Sequence, residues 1–339
     1  MELGIHALQR YYRLMDSFIE SLIAPCPWFL LIPLLFGLIF LVGKGADVML
    51  DQAVEMASRW GMSKILIGAT IVSLGTTLPE LTVSAFSTMA GRSAMAMGNA
   101  IGSIICNSGL GLGIIGLMTT TNFDAKSVRP TWLRTLIGAT VLVVAGILSG
   151  GVIHPLIGVA MLLSLAYHLY ASMKSSTPCT EDMNSNSDEP WSHILIKFVC
   201  GLALLILSSK VLIPVASTLA RSLGIPEHVI AASLVALGTS LPEMVTVIQS
   251  SRKGLGELGL GNILGANILN ILLVIGASAT ISGSGLRVPS EFLTLHYPAL
   301  AVIFALQGYM LYKKQSLSRS LGLLFLASYS IYLAIAFIA

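Results

Sequence analysis

Two six-residue stretches hold the side chains that could do chemistry in an otherwise apolar chain. Gly75-Thr76-Thr77-Leu78-Pro79-Glu80 and Gly238-Thr239-Ser240-Leu241-Pro242-Glu243 differ at one position, and each sets a proline and a carboxylate inside a long apolar run. Proline has no N–H and its ring clashes with the carbonyl four residues back, so the Gly75 and Gly238 carbonyls are expected to lose helical partners beside a glutamate. Backbone opened at membrane depth must line a cavity or meet a ligand. A carboxylate there costs about 2.5 kcal/mol or more on insertion scales, so it is rarely idle. Freed carbonyls, hydroxyls and a carboxylate form an oxygen-rich cage suited to a hard cation.

Each hexapeptide is followed, after a short polar turn, by Gly98-Asn99-Ala100-Ile101-Gly102-Ser103 with Asn107, or by Gly261-Asn262-Ile263-Leu264-Gly265-Ala266 with Asn270. Positions 99, 103 and 107 recur every four residues and fall on one helical face, as do 262, 266 and 270. Small residues let such a helix approach its neighbour closely, and a Gly/Ser/Asn stripe by itself is ordinary packing. Repeated beside a Pro-Glu break, it reads as a second set of ligands.

The elements that must position these residues are membrane spans. With 339 residues, 55% hydrophobic and 10% charged, and a mean hydropathy of +0.85, the chain is an all-α integral membrane protein rather than a soluble one. A net charge of +3 without long Lys/Arg runs excludes a nucleic-acid partner. Cys26, Cys106, Cys179 and Cys200 have neither disulfide-like nor zinc-like spacing. Residues 1–27 carry Glu2, Arg10, Arg13, Asp16 and Glu20, which fits an amphipathic segment lying on the membrane and not a cleaved leader.

Ten apolar runs of about 20 residues, the length that crosses the hydrocarbon layer, lie at 28–50, 65–90, 94–118, 132–148, 152–173, 194–219, 229–250, 258–281, 292–312 and 317–338. A polar linker at 174–190 separates a first five-helix repeat at 28–173 from a second at 191–339. Glu243, Asn262, Gly265 and Asn270 each stand 163 positions after Glu80, Asn99, Gly102 and Asn107, so a single gap-free register joins the halves. A unit of five spans ends on the side opposite its start, and its copy must therefore be inverted, with broken helices meeting at the midplane. Lys and Arg concentrate in the loops holding Lys64, Lys126, Arg129, Lys174, Arg252, Lys253, Lys313 and Lys314. Positive-inside bias puts those loops and the linker in the cytoplasm and both termini outside.

The two Gly-Thr-(Ser/Thr)-Leu-Pro-Glu stretches with their Gly-(Ser/Ala)-x-x-x-Asn helices resemble the α-repeats of the cation/calcium exchanger superfamily, nearest its prokaryotic sodium/calcium exchanger-like members. The repeats span about 68–112 and 231–275. The resemblance implies a secondary antiporter working by alternating access, which exchanges Ca²⁺ for Na⁺ without a cofactor, without enzymatic turnover and without an obligate protein partner. Its partners are inorganic cations and the lipid bilayer, and its home is a bacterial cytoplasmic (inner) membrane. By the same resemblance, Glu80 and Glu243 with the Thr76 and Thr239 carbonyls form the Ca²⁺ site. Ser73, Thr77, Ser103, Asn107, Ala236, Ser240 and Asn270 match flanking Na⁺ or H⁺ positions. The first and sixth helices, which slide or tilt in this family, match 28–50 and 194–219.

Two departures stand out. Ala266 lies where sodium/calcium exchangers have a serine, and Asn270 where they often have an aspartate. Only two carboxylates then converge, and two charges balance one Ca²⁺, two Na⁺ or two H⁺. A nearly electroneutral exchange follows. The alternative is H⁺ coupling with Glu80 and Glu243 as the proton carriers, and a more remote one is a passive cation channel. Elsewhere, Lys44, Asp47, Asp51 and Lys210 read as interfacial side chains or an intramembrane pair, His154 and His168 as packed or interfacial, and Trp28, Trp132 and Trp191 as interface anchors.

Overall fold

The computed structural model describes residues 19, 21–23, 25–174, 189–224, 238–290, 292–314 and 316–338. Most of the amphipathic segment and of the linker, together with 225–237, lies outside the described residues. Helices follow in order: α1 (Trp28–Trp60), α2 (Lys64–Thr76), α3 (Leu78–Met89), α4 (Ser93–Met118), α5 (Ala125–Leu148), α6 (Pro155–Lys174), α7 (Trp191–Ser222), α8 (Leu241–Arg252), α9 (Gly256–Ile281), α10 (Phe292–Lys313) and α11 (Arg319–Ile338). Among the described residues, eight are long and apolar enough to cross a membrane, and the pair α2–α3, bent by 45°, passes the same test when its two helices are taken together. The expected span at 229–250 is half described, its second part being α8.

Several helices outrun their apolar runs. α1 has 33 residues, about 50 Å of helix against a hydrocarbon layer of about 30 Å. Asp51, Glu55 and Arg59, which marked its expected end, ride on its last turns, and Gly61 stops it in the left-handed region at φ 63°. α5 starts at Ala125 rather than 132 because the Asp124 side chain caps it, accepting from Lys126 N at 3.0 Å.

At Thr77 (φ −82°, ψ −2°) the axis between α2 and α3 bends by 45°, with Pro79 in the first turn of α3. Ser240 holds nearly the same angles (φ −82°, ψ 3°) before Pro242 in α8. The register of 163 seen in the sequence recurs in the elements: α8 repeats the bounds of α3, and α9 begins one register after α4. π-helical turns open at Asn107 and at Asn270.

The halves interlock. Gly113 and Gly116 of α4 lie against Leu326 and Gly322 of α11, while Gly276 of α9 lies against Gly158 of α6, so each half's last helix covers the other half's central helix. Gly261 and Gly265 bring α9 onto α2, where an added Cβ would stand 2.1 Å from the Ile65 carbonyl oxygen and 2.4 Å from that of Ala69. Gly45 and Gly201 do the same for the crossing of α1 and α7. Two short antiparallel ribbons join the halves as well: β1 (Thr121–Asn122) pairs with β4 (Ser316–Leu317), and β2 (Val152–Ile153) with β3 (Leu286–Arg287). α9 is enclosed along nearly its whole length, and the core runs from it through α4 to α10 and α11.

Candidate functional site

The Pro-Glu breaks open α3 and α8 with their glutamates in the first turn, and both side chains are fully buried. A carboxylate near a helix N-terminus meets the positive end of the helix dipole, which offsets part of the cost of burial. Around them stand hydroxyls and amides from both halves. Thr77 Oγ1 lies 3.5 Å from Glu243 Oε1. Ser240 Oγ, its counterpart, lies 3.4 Å from Glu80 Oε1. Ser103 Oγ is 3.5 Å from the same Glu80 oxygen and 3.1 Å from Ser240 Oγ.

Each half therefore reaches across to the other's glutamate. Thr76 and Thr239 also cross over, through their hydroxyls: Thr76 Oγ1 donates to Asn262 Oδ1 at 3.3 Å, and Thr239 Oγ1 to Asn99 Oδ1 at 3.0 Å. Ser73 is fully buried on α2, its hydroxyl bonded to the Thr70 carbonyl. Ala236 lies outside the described residues.

What the site leaves unpaired is chemically telling. Glu80 Oε2, Glu243 Oε2 and both polar atoms of Asn107 and of Asn270 are buried without a hydrogen-bond partner. Buried polar atoms are nearly always paired; other unpaired buried atoms are scattered through the molecule, whereas these six recur at matching positions of the repeat. At 3.4–3.5 Å the hydroxyl contacts to the two carboxylates are long for hydrogen bonds.

The halves differ at one wall: Ala266, fully buried, puts a methyl where Ser103 puts a hydroxyl. Sequence reasoning also missed Ser84, whose hydroxyl accepts from Asn99 Nδ2 at 2.9 Å. A serine in mid-helix carries no distinguishing signal; only its place one turn after Glu80 could have singled it out. A separate buried polar trio, Ser108 with Asn267 and Gln307, was unsuspected because Ser108 and Asn267 fall off the 99/103/107 and 262/266/270 stripes and Gln307 stands alone in an apolar run.

Among the remaining side chains, Asp47 and Asp51 pair with Lys253 at 3.4 and 2.6 Å. His168 is buried against Arg134, 2.8 Å away. Trp132 is buried on Tyr312 rather than standing as an interface anchor, because α5 begins well before it. Cys26, Cys106 and Cys200 are free thiols.

One bent helix pair, a matching Pro-Glu helix start in the second half and two buried carboxylates, in a bundle of membrane-length apolar helices, fit a multi-pass membrane protein of the transporter class. Comparison with known proteins places it further. The family model described as sodium/calcium exchanger protein matches residues 30–174 and 193–338, and the chain belongs to that family. An uncharacterized membrane protein of Methanocaldococcus jannaschii, MJ0091, is 31% identical over 300 residues, covering 88% of this chain and 95% of that one. The sodium/calcium exchanger MaX1 of Methanosarcina acetivorans is 28% identical over 284 residues, covering 72% and 81%. A solved structure of the sodium-calcium exchanger NCX_Mj superposes with a TM-score of 0.78 at 27% identity, covering 92% of this chain and all of the other.

Proposed function

We propose that the chain exchanges Ca²⁺ for Na⁺ across a membrane by alternating access, in ten spans arranged as two inverted five-helix repeats. The repeated register, the interlocked halves and the likeness to sodium/calcium exchangers support this reading. Ca²⁺ is held between Glu80 and Glu243, with the Thr76 and Thr239 carbonyls completing the cage. Ser73, Thr77, Ser103, Asn107, Ala236, Ser240 and Asn270 line the flanking monovalent sites. The membrane is a bacterial inner membrane, with both termini outside. The observation that carries the site is the group of six unpaired buried polar atoms on Glu80, Glu243, Asn107 and Asn270.

Two carboxylates set the charge balance. One Ca²⁺ neutralises both glutamates, as do two monovalent ions, and a third would leave a net charge away from water, which is costly. Exchange is thus nearly electroneutral. A second reading, coupling to H⁺ on Glu80 and Glu243, is favoured by one feature, the methyl of Ala266 where a hydroxyl ligand would stand.

Purified protein in proteoliposomes, followed for ⁴⁵Ca²⁺ uptake under an outward Na⁺ gradient, an outward H⁺ gradient or an imposed voltage alone, separates these. Uptake with the Na⁺ gradient is expected, and uptake with H⁺ alone would replace Na⁺ coupling by the second reading. Uptake that neither saturates nor needs a counter-ion would make the protein a passive channel.

A further inference from the structure

The halves hold their glutamates unequally, and the difference rests on two asparagines. In the first half, Asn99 Nδ2 donates to the Glu80 backbone carbonyl at 3.1 Å and to Ser84 Oγ at 2.9 Å. Ser84 in turn donates to the Ala96 carbonyl at 3.2 Å. α3 is stapled to α4 at the residue that carries the carboxylate.

One register later, the staple is open. Asn262 accepts from Thr76, but its Nδ2 is buried without a partner. Ser84 is matched by Val247, fully buried and apolar, so the second anchor is absent. α8 lacks the tie that α3 has. A buried amide donor left unpaired is unfavourable, and a shift of α8 against α9 that gave it an acceptor would be rewarded.

We infer that Asn99 and Asn262 are alternating positioning residues. In the conformation described here Asn99 grips the Glu80 carbonyl and Asn262 is open; in the oppositely facing conformation Asn262 grips the Glu243 carbonyl and Asn99 lets go. The inference rests on the proposed alternating access in an inverted repeat, where the two-fold operation that exchanges the halves also exchanges the sides of the membrane, so each half takes up the other's local conformation. Ser84 against Val247 makes the exchange unequal and favours the closed Asn99 staple.

Hydrogen–deuterium exchange of the full-length protein, without transported ions, tests this on the peptides covering 78–89 and 241–252. Asn99→Ala is expected to speed exchange in the first and to slow it in the second, each by about threefold or more. Val247→Thr keeps the side-chain shape, gives Asn262 its missing hydroxyl and is expected to produce the same reciprocal pattern. Adding Asn262→Ala to either variant should abolish the protection of 241–252.

Reciprocity is the diagnostic, since a merely structural role would loosen the mutated half, and the other half too through the lost Thr239–Asn99 bond, but would slow exchange in neither. Exchange that rises in both peptides, or Val247→Thr that leaves 78–89 untouched, would overturn the inference. Exchange needs no transport, so that failure would leave antiport standing. Wild-type vesicles without counter-ion-driven Ca²⁺ uptake would sink antiport alone.

Discussion

Glu80 and Glu243 each keep one oxygen against hydroxyls of the opposite half and leave the other unpaired. Glu80→Gln or Glu243→Gln keeps the shape and removes one of two charges. Because a charge-assisted contact is worth about 1.5–3 kcal/mol, Ca²⁺ uptake into vesicles should fall by about tenfold or more in either variant. Uptake at the wild-type level in one of them would remove that glutamate from the site. Ala266→Ser would put a hydroxyl beside Glu243 as Ser103 puts one beside Glu80. Its expected effect is a lower Na⁺ concentration for half-maximal Ca²⁺ uptake, and an unchanged value would show that this wall does not touch Na⁺. These residues were legible in the sequence because a Pro-Glu pair contradicts its apolar surroundings. Ser84 and Gln307 were not, since one polar residue in a helix has the same signature whether it caps, packs or binds.

Close packing governs the helices. An alanine at Gly261 would drive its Cβ to 2.1 Å from the Ile65 carbonyl oxygen, and backbone there has no flexible end to give way. Overpacking of this kind costs about 1–3 kcal/mol, so Gly261→Ala should lower the thermal unfolding midpoint in detergent by several degrees. Gly37→Ala, where nothing lies within 4 Å, is the control expected to leave it unchanged. Existence and order of the described helices were readable from apolar runs, whereas their ends were not. Hydropathy marks the thickness of the bilayer, but a helix stops where its caps are, and Gly61 and Asp124 set ends that charge alone misplaced by several residues. The crossings of α4 with α11 and of α9 with α6 were equally invisible, because a glycine announces that something comes near without naming what.

Across the whole molecule, the ribbons β1–β4 and β2–β3 tie the halves together while α3 and α8 carry the two candidate glutamates. If the ribbons are static during exchange, cysteines at Val152 and Arg287, which face each other in register, should crosslink without harm. Facing Cα atoms in such a ladder lie about 4.5–5.5 Å apart, inside the range a disulfide spans. Ca²⁺ uptake is expected to survive oxidation of the Val152→Cys/Arg287→Cys variant, as measured before and after reduction. Arrest on oxidation would place this ribbon among the moving parts.

The interlocking also reaches back to synthesis. Gly113 and Gly116 on α4 are covered by α11, a helix made after every residue around the glutamates. Until then the first half sits in the bilayer with an open glycine groove and two buried-type polar residues, Asn107 and Ser108, beside it. A truncation just before Arg319 is therefore expected to uncover that groove, although it removes none of the residues around the glutamates.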